Sequence, residues 1–246
     1  MSDTPGDPSA DGAEVVRSYE RDVVRTARYA MLGVAPEHAQ TIWFVLHGYG
    51  QLAARFLRHF AGAVPADTCI VAPEGLSRFY IDAPSTDGAH LQRVGATWMT
   101  REARELEIRD TLRWLDTLYD DVVTAAVRVR GVVPIIGVLG FSQGVATAMR
   151  WIASSVVTPS QVVVWAGGLA HDVDVDALAA KLAHASLTLV AGTTDQFVTD
   201  QTREKMLAQM QALVPEVTVL QFEGGHRLDT DTLRIVLAAR PHDAHG

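Results

Sequence analysis

Alternation of short apolar runs with amphipathic stretches predicts an α/β protein, a mostly parallel sheet with helices on both faces. Two observations carry this. The runs 42–46, 69–72, 135–139, 162–165, 187–191 and 217–222 are almost wholly apolar, as strands are when both faces of their sheet are covered. Between them lie segments with helical periodicity, and strands that alternate with helices wind into parallel sheets.

The elements follow in order. The stretch 1–13 is rich in Ser, Asp, Pro and Gly, has no basic start and no apolar core, and reads as a disordered leader with no signal-peptide pattern. Residues 14–19 and 23–30 mix β-branched residues with charges and are expected as an antiparallel pair of edge strands. The segment 101–119 places Ile108, Leu112, Leu115 and Tyr119 at spacings of four, three and four, which predicts an amphipathic helix lying on the sheet. Further helices are expected over 143–155, 176–183, 201–213 and 229–239, the last capped by Asp229. Segment 75–100 contains Phe79, Tyr80, Pro84, Gly88, Gly95 and Trp98 without a period. A loop of this length in a compact domain is expected to be functional, here as part of a substrate wall.

Composition bounds the rest. With 246 residues and 48% hydrophobic content, the chain has material for one substantial core, so a single domain is expected over 14–240, followed by a polar tail, 241–246. The net charge of -8, from 29 acidic and 21 basic residues, comes without cationic clusters, which argues against nucleic acid as a partner. Cys69 is the sole cysteine; it precludes an intrachain disulfide, sets aside a cysteine zinc site and fits a reducing, cytoplasmic setting. Apolar stretches end well short of the roughly 18 to 20 residues of a membrane span, so no integral membrane association is expected. Oligomeric state leaves no trace in the sequence.

The sharpest local feature is Gly140-Phe141-Ser142-Gln143-Gly144, directly after one expected strand and directly before an expected helix. A G-x-S-x-G pattern in that context makes a tight turn that presents the serine hydroxyl outward, and the flanking glycines are required because a Cβ there would strike the neighbouring strand or helix. The Gln143 amide, with a helix N-terminus behind it, faces any negative charge that grows beside Ser142. A serine needs a base, and in this order of elements an acid and then a histidine should follow it. Of the downstream histidines, His171, His184, His226, His242 and His245, the last two lie in the tail and His184 toward the end of an expected helix, whereas His226, after Gly224 and Gly225 and just beyond the last apolar run, stands where the carboxyl edge of the sheet is expected. For the acid, Asp195 follows the run 187–191 at the same edge, with Asp200, Asp172 and Asp174 as rivals, Asp200 being read as a helix cap. A second oxyanion amide is expected from the loop after the first apolar run, His47-Gly48-Tyr49-Gly50, with Tyr49 as the donor. His47 itself precedes the serine and reads as a structural histidine bonded to nearby backbone. Phe79, Tyr80, Trp98, Met99 and Phe197 are candidates for an apolar substrate-binding wall.

Together, Leu46-His47-Gly48-Tyr49-Gly50, Ala72-Pro73-Glu74-Gly75, Trp98, Gly140-Phe141-Ser142-Gln143-Gly144, Gly192 through Val198, and Gly224-Gly225-His226 resemble the phospholipase/carboxylesterase family of α/β-hydrolases, which includes acyl-protein thioesterases. The resemblance spans about residue 40 to 230. It implies an α/β-hydrolase fold, a Ser142, Asp195, His226 triad, oxyanion amides from Tyr49 and Gln143, no metal or organic cofactor, and a small-molecule ester as substrate. Two departures stand out: Val145 where the family usually has a second glycine, and Thr199 where it often has proline. The expected activity is hydrolysis of small to medium acyl esters by a serine carboxylesterase. The alternatives are an acyl thioesterase or acyltransferase on the same triad, and a non-catalytic homologue that binds a ligand.

Overall fold

In a computed structural model, which describes residues 16–82 and 92–240, a seven-stranded sheet is flanked by helices. Its strands are β1 (Tyr29–Gly33), β2 (Thr41–Leu46), β3 (Thr68–Pro73), β6 (Ile135–Phe141), β7 (Gln161–Trp165), β8 (Ser186–Gly192) and β9 (Val217–Phe222), in the order β1-β3-β2-β6-β7-β8-β9. All neighbours are parallel except β1 against β3. A small antiparallel ribbon, β4 (Ser77–Tyr80) with β5 (Val94–Thr97), stands apart. The helices are α1 (Ala53–Phe56), α2 (Arg104–Arg130), α3 (Gln143–Ser154), α4 (Val175–Leu182), α5 (Asp200–Gln211) and α6 (Thr230–Ala238).

Each of the six apolar runs forms a strand. β2 and β3 are buried at every position, as strands covered on both faces should be. β9 departs from that pattern: Thr218, Val219 and Gln221 are exposed because this strand closes one edge of the sheet.

The N-terminal expectation is corrected. Residues 16–28 form no strand, and their Val16, Val23 and Val24 side chains are exposed; β-branched residues do not make a strand where no ladder partner is offered. A single antiparallel strand, β1, takes the lead-in role one step later, against β3. The leader 1–13, the tail 241–246 and residues 83–91 of the aperiodic segment lie outside the described residues.

Helix α2 runs eleven residues beyond the expected end at Tyr119. Val122 and Ala126 continue its buried stripe from Thr111, Leu115 and Leu118, and nothing breaks the helix until Gly131 ends it in the left-handed conformation. Asp229 caps α6 by accepting from the Thr232 amide at 3.1 Å, as expected. Asp200 does not cap α5: Thr199 does, accepting from the Thr202 amide at 3.3 Å, while Asp200 lies in the first turn and pairs with Arg203. At this departure from the family pattern the cap, in place of a proline ring, fixes the start of the helix.

The core joins sheet and helices through aromatic rings. Phe44 of β2 packs against Tyr119 of α2 and Trp151 of α3, each at 5.5 Å between centroids, and the Trp151 indole N–H donates to Asp116 Oδ1 at 2.8 Å. Inside the sheet, Trp43 of β2 lies beside Gly137 of β6, and a methyl group at Gly137 would stand 2.4 Å from the Trp43 indole. The buried indole has nowhere to retreat. Gly137→Ala is therefore expected to cost about 2 kcal/mol of stability through overpacking. A lower midpoint in urea denaturation is the reading; an unchanged midpoint refutes the close fit.

Candidate active site

The order of strands prepares the site. From β2 the chain first steps outward to β3, and later returns to the other side of β2 to form β6, so the carboxyl ends of β2 and β6 flank a topological switch point, where open α/β sheets leave a crevice. The His47–Gly50 loop leaves β2 there, and Ser142 leaves β6.

Between β6 and α3, Ser142 has φ 52° and ψ -117°, a left-handed conformation that a non-glycine residue adopts only under constraint. The constraints are close contacts. A methyl at Gly144 would lie 2.2 Å from the Leu46 carbonyl oxygen, and one at Gly140 2.5 Å from the Val145 Cα. Val145 is fully buried, its side chain packed close against Gly167 in the loop after β7. The Ser142 amide donates to the Trp165 carbonyl at 2.9 Å, fastening the turn to β7.

Two strands further along the sheet, β8 and β9 bring in the partners. The Thr193 and Thr194 amides donate to the Phe222 and Gly224 carbonyls at 2.9 Å each, and the Gly192 position lies so close to the Gly224 carbonyl oxygen, 2.2 Å from where a Cβ would be, that no side chain fits. The loops carrying Asp195 and His226 are thus stitched together. His226 Nδ1 stands 2.7 Å from Asp195 Oδ2, and His226 Nε2 stands 2.9 Å from Ser142 Oγ. An ionised carboxylate only accepts, so Nδ1 carries the proton and Nε2 is left to accept from the serine hydroxyl. The Asp195 carboxylate is sealed from solvent, and its other oxygen accepts from the Phe197 amide at 2.8 Å. The imidazole lies between two rings, Phe141 at 5.0 Å and Phe197 at 4.9 Å.

The rival acids are engaged elsewhere. Asp172 accepts from the buried Arg150 and from Arg104 at distances down to 2.8 Å, and the Arg150 guanidinium holds its carboxyl far below the usual carboxylate range. Asp174 caps α4 through the Ala177 amide. His171 and His184 are exposed.

His47 is fully buried. Its Nε2 accepts from the Gly75 amide at 3.0 Å, its Nδ1 donates to the Gly48 carbonyl at 2.8 Å, and the Trp98 ring stacks on it at 4.6 Å. The Trp98 indole N–H donates to the His47 carbonyl at 2.7 Å. Trp98 is therefore part of the scaffold beneath the loop and presents no face to a substrate, which corrects its expected place in the wall. Of the other wall candidates, Phe197 is exposed beside His226, Phe79 packs at 5.0 Å on the exposed ring of Tyr49, Tyr80 is exposed, and Met99 is half-buried. The main-chain N–H groups of Tyr49 and Gln143 donate to no protein acceptor among the described residues.

Sequence reading passed over the polar side chains that hold the loops. Gln51 Oε1 accepts from the Gly48 amide at 2.8 Å, the buried Glu74 accepts from the Ala53 amide at 3.2 Å and pairs with Arg78 at 2.9 Å, and the Gln143 side chain reaches β5. None carries a spacing signal, since each acts on a segment distant in sequence or lacking a period. Among the described residues no group of three or more His, Cys, Asp or Glu is arranged to hold a metal ion, and no helix is long and apolar enough to cross a membrane.

With a serine in a strained turn aligned with a histidine and a buried aspartate, a match to known hydrolases becomes decisive. The family model described as serine hydrolase (FSH1) matches residues 42–232. The chain belongs to that family. No curated protein matches it in sequence. Solved structures with the same fold include Zea mays acyl-protein thioesterase 2, with TM-score 0.61, 15% identity and coverage of 86% of this chain and 96% of the other. A carboxylesterase from Mesorhizobium loti gives TM-score 0.60 and 18% identity over 87% and 95%. A phospholipase/carboxylesterase from Dyadobacter fermentans gives 0.58 and 15% over 88% and 97%. The last is of the family that the sequence motifs resemble, and the α/β-hydrolase fold of this serine hydrolase follows from these likenesses.

Burial gives His47 a pH signature. Its pKa is lowered from 6.5 to about 4 by loss of solvent, so below pH 6.5 the unfolded chain binds a proton that the folded chain refuses. Stability should fall as pH falls from about 6.5 to about 4, by up to about 3 kcal/mol from this group. Urea midpoints across that window should slope less in His47→Gln than in the parent; equal slopes refute the assignment.

Proposed function

We propose that this serine hydrolase is a carboxylesterase acting through an acyl-enzyme, with Ser142 as nucleophile, His226 as base and Asp195 as its orienting carboxylate. The observation that carries the reading is the unbroken line from Asp195 Oδ2 through the imidazole to Ser142 Oγ, with steps of 2.7 and 2.9 Å. In the first half-reaction Ser142 Oγ bonds to the ester carbonyl carbon while its proton passes to His226 Nε2. The carbonyl oxygen, now an anion, takes hydrogen bonds from the Tyr49 and Gln143 amides, the latter at the N-terminus of α3. Collapse breaks the bond to the alcohol, which leaves with the proton from Nε2. Water then repeats the sequence on the acyl-enzyme and releases the acid. Asp195 stabilises the imidazolium in both halves and keeps the proton on Nδ1. A single oxyanion donor is worth on the order of 3 kcal/mol, so two unengaged amides account for a large part of the acceleration.

The acyl group is assigned to the surface formed by Phe79, Met99 and Phe197, beside the ring of Tyr49, with Tyr80 at its outer rim. These residues are apolar and carry no ionic partner, which suits an uncharged acyl chain of small to medium length. Thioesters offer the same carbonyl to the same groups, and matched ester and thioester substrates decide between them. The catalytic unit is read as one domain over 14–240, and a reducing, cytoplasmic setting fits the one cysteine, Cys69, a buried free thiol.

Ser142→Ala is expected to abolish turnover of p-nitrophenyl butyrate and labelling by a fluorophosphonate; persistent labelling removes Ser142 from its role. Across p-nitrophenyl esters of increasing acyl length, kcat/KM should peak at short or medium chains. A maximum only at the longest chains contradicts the substrate class.

A further inference from the structure

The two amides assigned to the oxyanion come from loops that are distant in sequence, yet both loops are tied to neighbouring residues of one strand, the first to Gly95 and Ala96 of β5 and the second to Thr97. On the first loop, the Gly50 amide donates to the Ala96 carbonyl at 2.9 Å, and the Ala96 amide donates to the Gln51 carbonyl at 3.2 Å. Backbones meet so closely here that a methyl at Gly95 would stand 2.4 Å from the Gly50 carbonyl oxygen. The Gly48 amide is held from the other side by Gln51 Oε1. Tyr49 therefore sits between two fastened residues.

The second loop is tied by side chains. Thr97 Oγ1 lies 2.8 Å from the Met99 carbonyl oxygen, 2.8 Å from Gln143 Nε2 and 3.0 Å from Gln143 Oε1. A hydroxyl has one proton. Spent on the Met99 carbonyl, it leaves Oγ1 to accept from Gln143 Nε2, and the Gln143 Oε1 then accepts from the Trp98 amide at 3.4 Å. In that arrangement Gln143 Nε2 also reaches the Met99 carbonyl oxygen at 3.4 Å, and the carboxamide is bound to β5 and the residues just after it. Thr97 is itself buried, so it touches no substrate.

We propose that β5 sets the separation of the two oxyanion amides, and that the Thr97 hydroxyl and the Gln143 carboxamide are positioning residues that hold the Ser142–Gln143 peptide in register with Tyr49. The proposal rests on the acyl-transfer reading above and deepens it. An amide displaced by a fraction of an ångström still binds substrate but stabilises the transition state less, so the effect falls on kcat and spares KM.

The test uses p-nitrophenyl butyrate as substrate and a trifluoromethyl ketone as probe, whose carbonyl carbon takes Ser142 Oγ and whose oxygen then occupies the oxyanion position. Thr97→Val, nearly the same shape without the hydroxyl, should lower kcat about tenfold with KM within about twofold, and weaken the ketone by the factor lost in kcat/KM. Thr97→Ser should restore both. Wild-type kcat and ketone affinity in Thr97→Val overturn the proposal, as does a loss that falls on KM or that Thr97→Ser leaves unrepaired. Should Thr97→Val fail to fold, Gln143→Met removes the same bonds from the other side and carries the same two outcomes. Ser142→Ala in the same assay separates the readings: activity retained there removes the nucleophile, whereas an inactive Ser142→Ala beside an unimpaired Thr97→Val removes the positioning role alone.

Discussion

Three side chains from residues 142, 195 and 226 meet because β6, β8 and β9 run parallel and end at one edge of the sheet. Parallel pairing forces every strand to release its following loop on the same side, so side chains up to 84 positions apart are gathered without any local signal between them. The Gly192 to Gly224 contact then removes the remaining freedom, since the backbones of the two partner loops touch and exchange hydrogen bonds. A line of hydrogen bonds with steps of 2.7 and 2.9 Å tolerates little error.

Burial divides the site into a sealed half and an open half. Asp195, His47 and Trp98 are shielded, and each polar atom they bring inside finds a partner: the Phe197 amide and the imidazole for Asp195, the Gly75 amide and Gly48 carbonyl for His47, the His47 carbonyl for the Trp98 indole. Unpaired, such groups would cost on the order of a few kcal/mol each. The open half is aromatic, with Tyr49 and Phe197 exposed at 64% and 65%. Large apolar rings left in water beside the Ser142 hydroxyl are what the proposed apolar substrate would cover. Arg150 and Arg104 work at a further remove, gripping Asp172 and so pinning the loop after β7 that packs behind Ser142.

Much of this was legible beforehand, and the exceptions have physical causes. The six strands announced themselves because a strand covered on both faces must be apolar at nearly every position. The strands expected before residue 29 did not form over 16–28, because a mixture of β-branched and charged residues states only that a strand is permitted; β1 formed where β3 offered an edge, and residues 16–28 had none. Helix α2 outran its expected end because a helix stops at a breaker, here Gly131, and not where its most regular stripe fades. Trp98 was misplaced for a related reason: an aromatic residue in an aperiodic segment gives no hint whether its ring faces a ligand or a buried imidazole.

The sequence alone determined the alternation of strands and helices, the tight turn at Ser142 and the order of serine, acid and histidine, since each is written in neighbouring residues whose sterics and polarity act locally. Only the tertiary structure decided which aspartate reaches the histidine, that Thr199 and not Asp200 caps α5, that Trp98 stacks on the buried His47 ring, and that β5 ties both amide-bearing loops. Those outcomes depend on distances between segments far apart in the chain, and such distances are fixed by strand order, close backbone contact and burial, which no local pattern encodes.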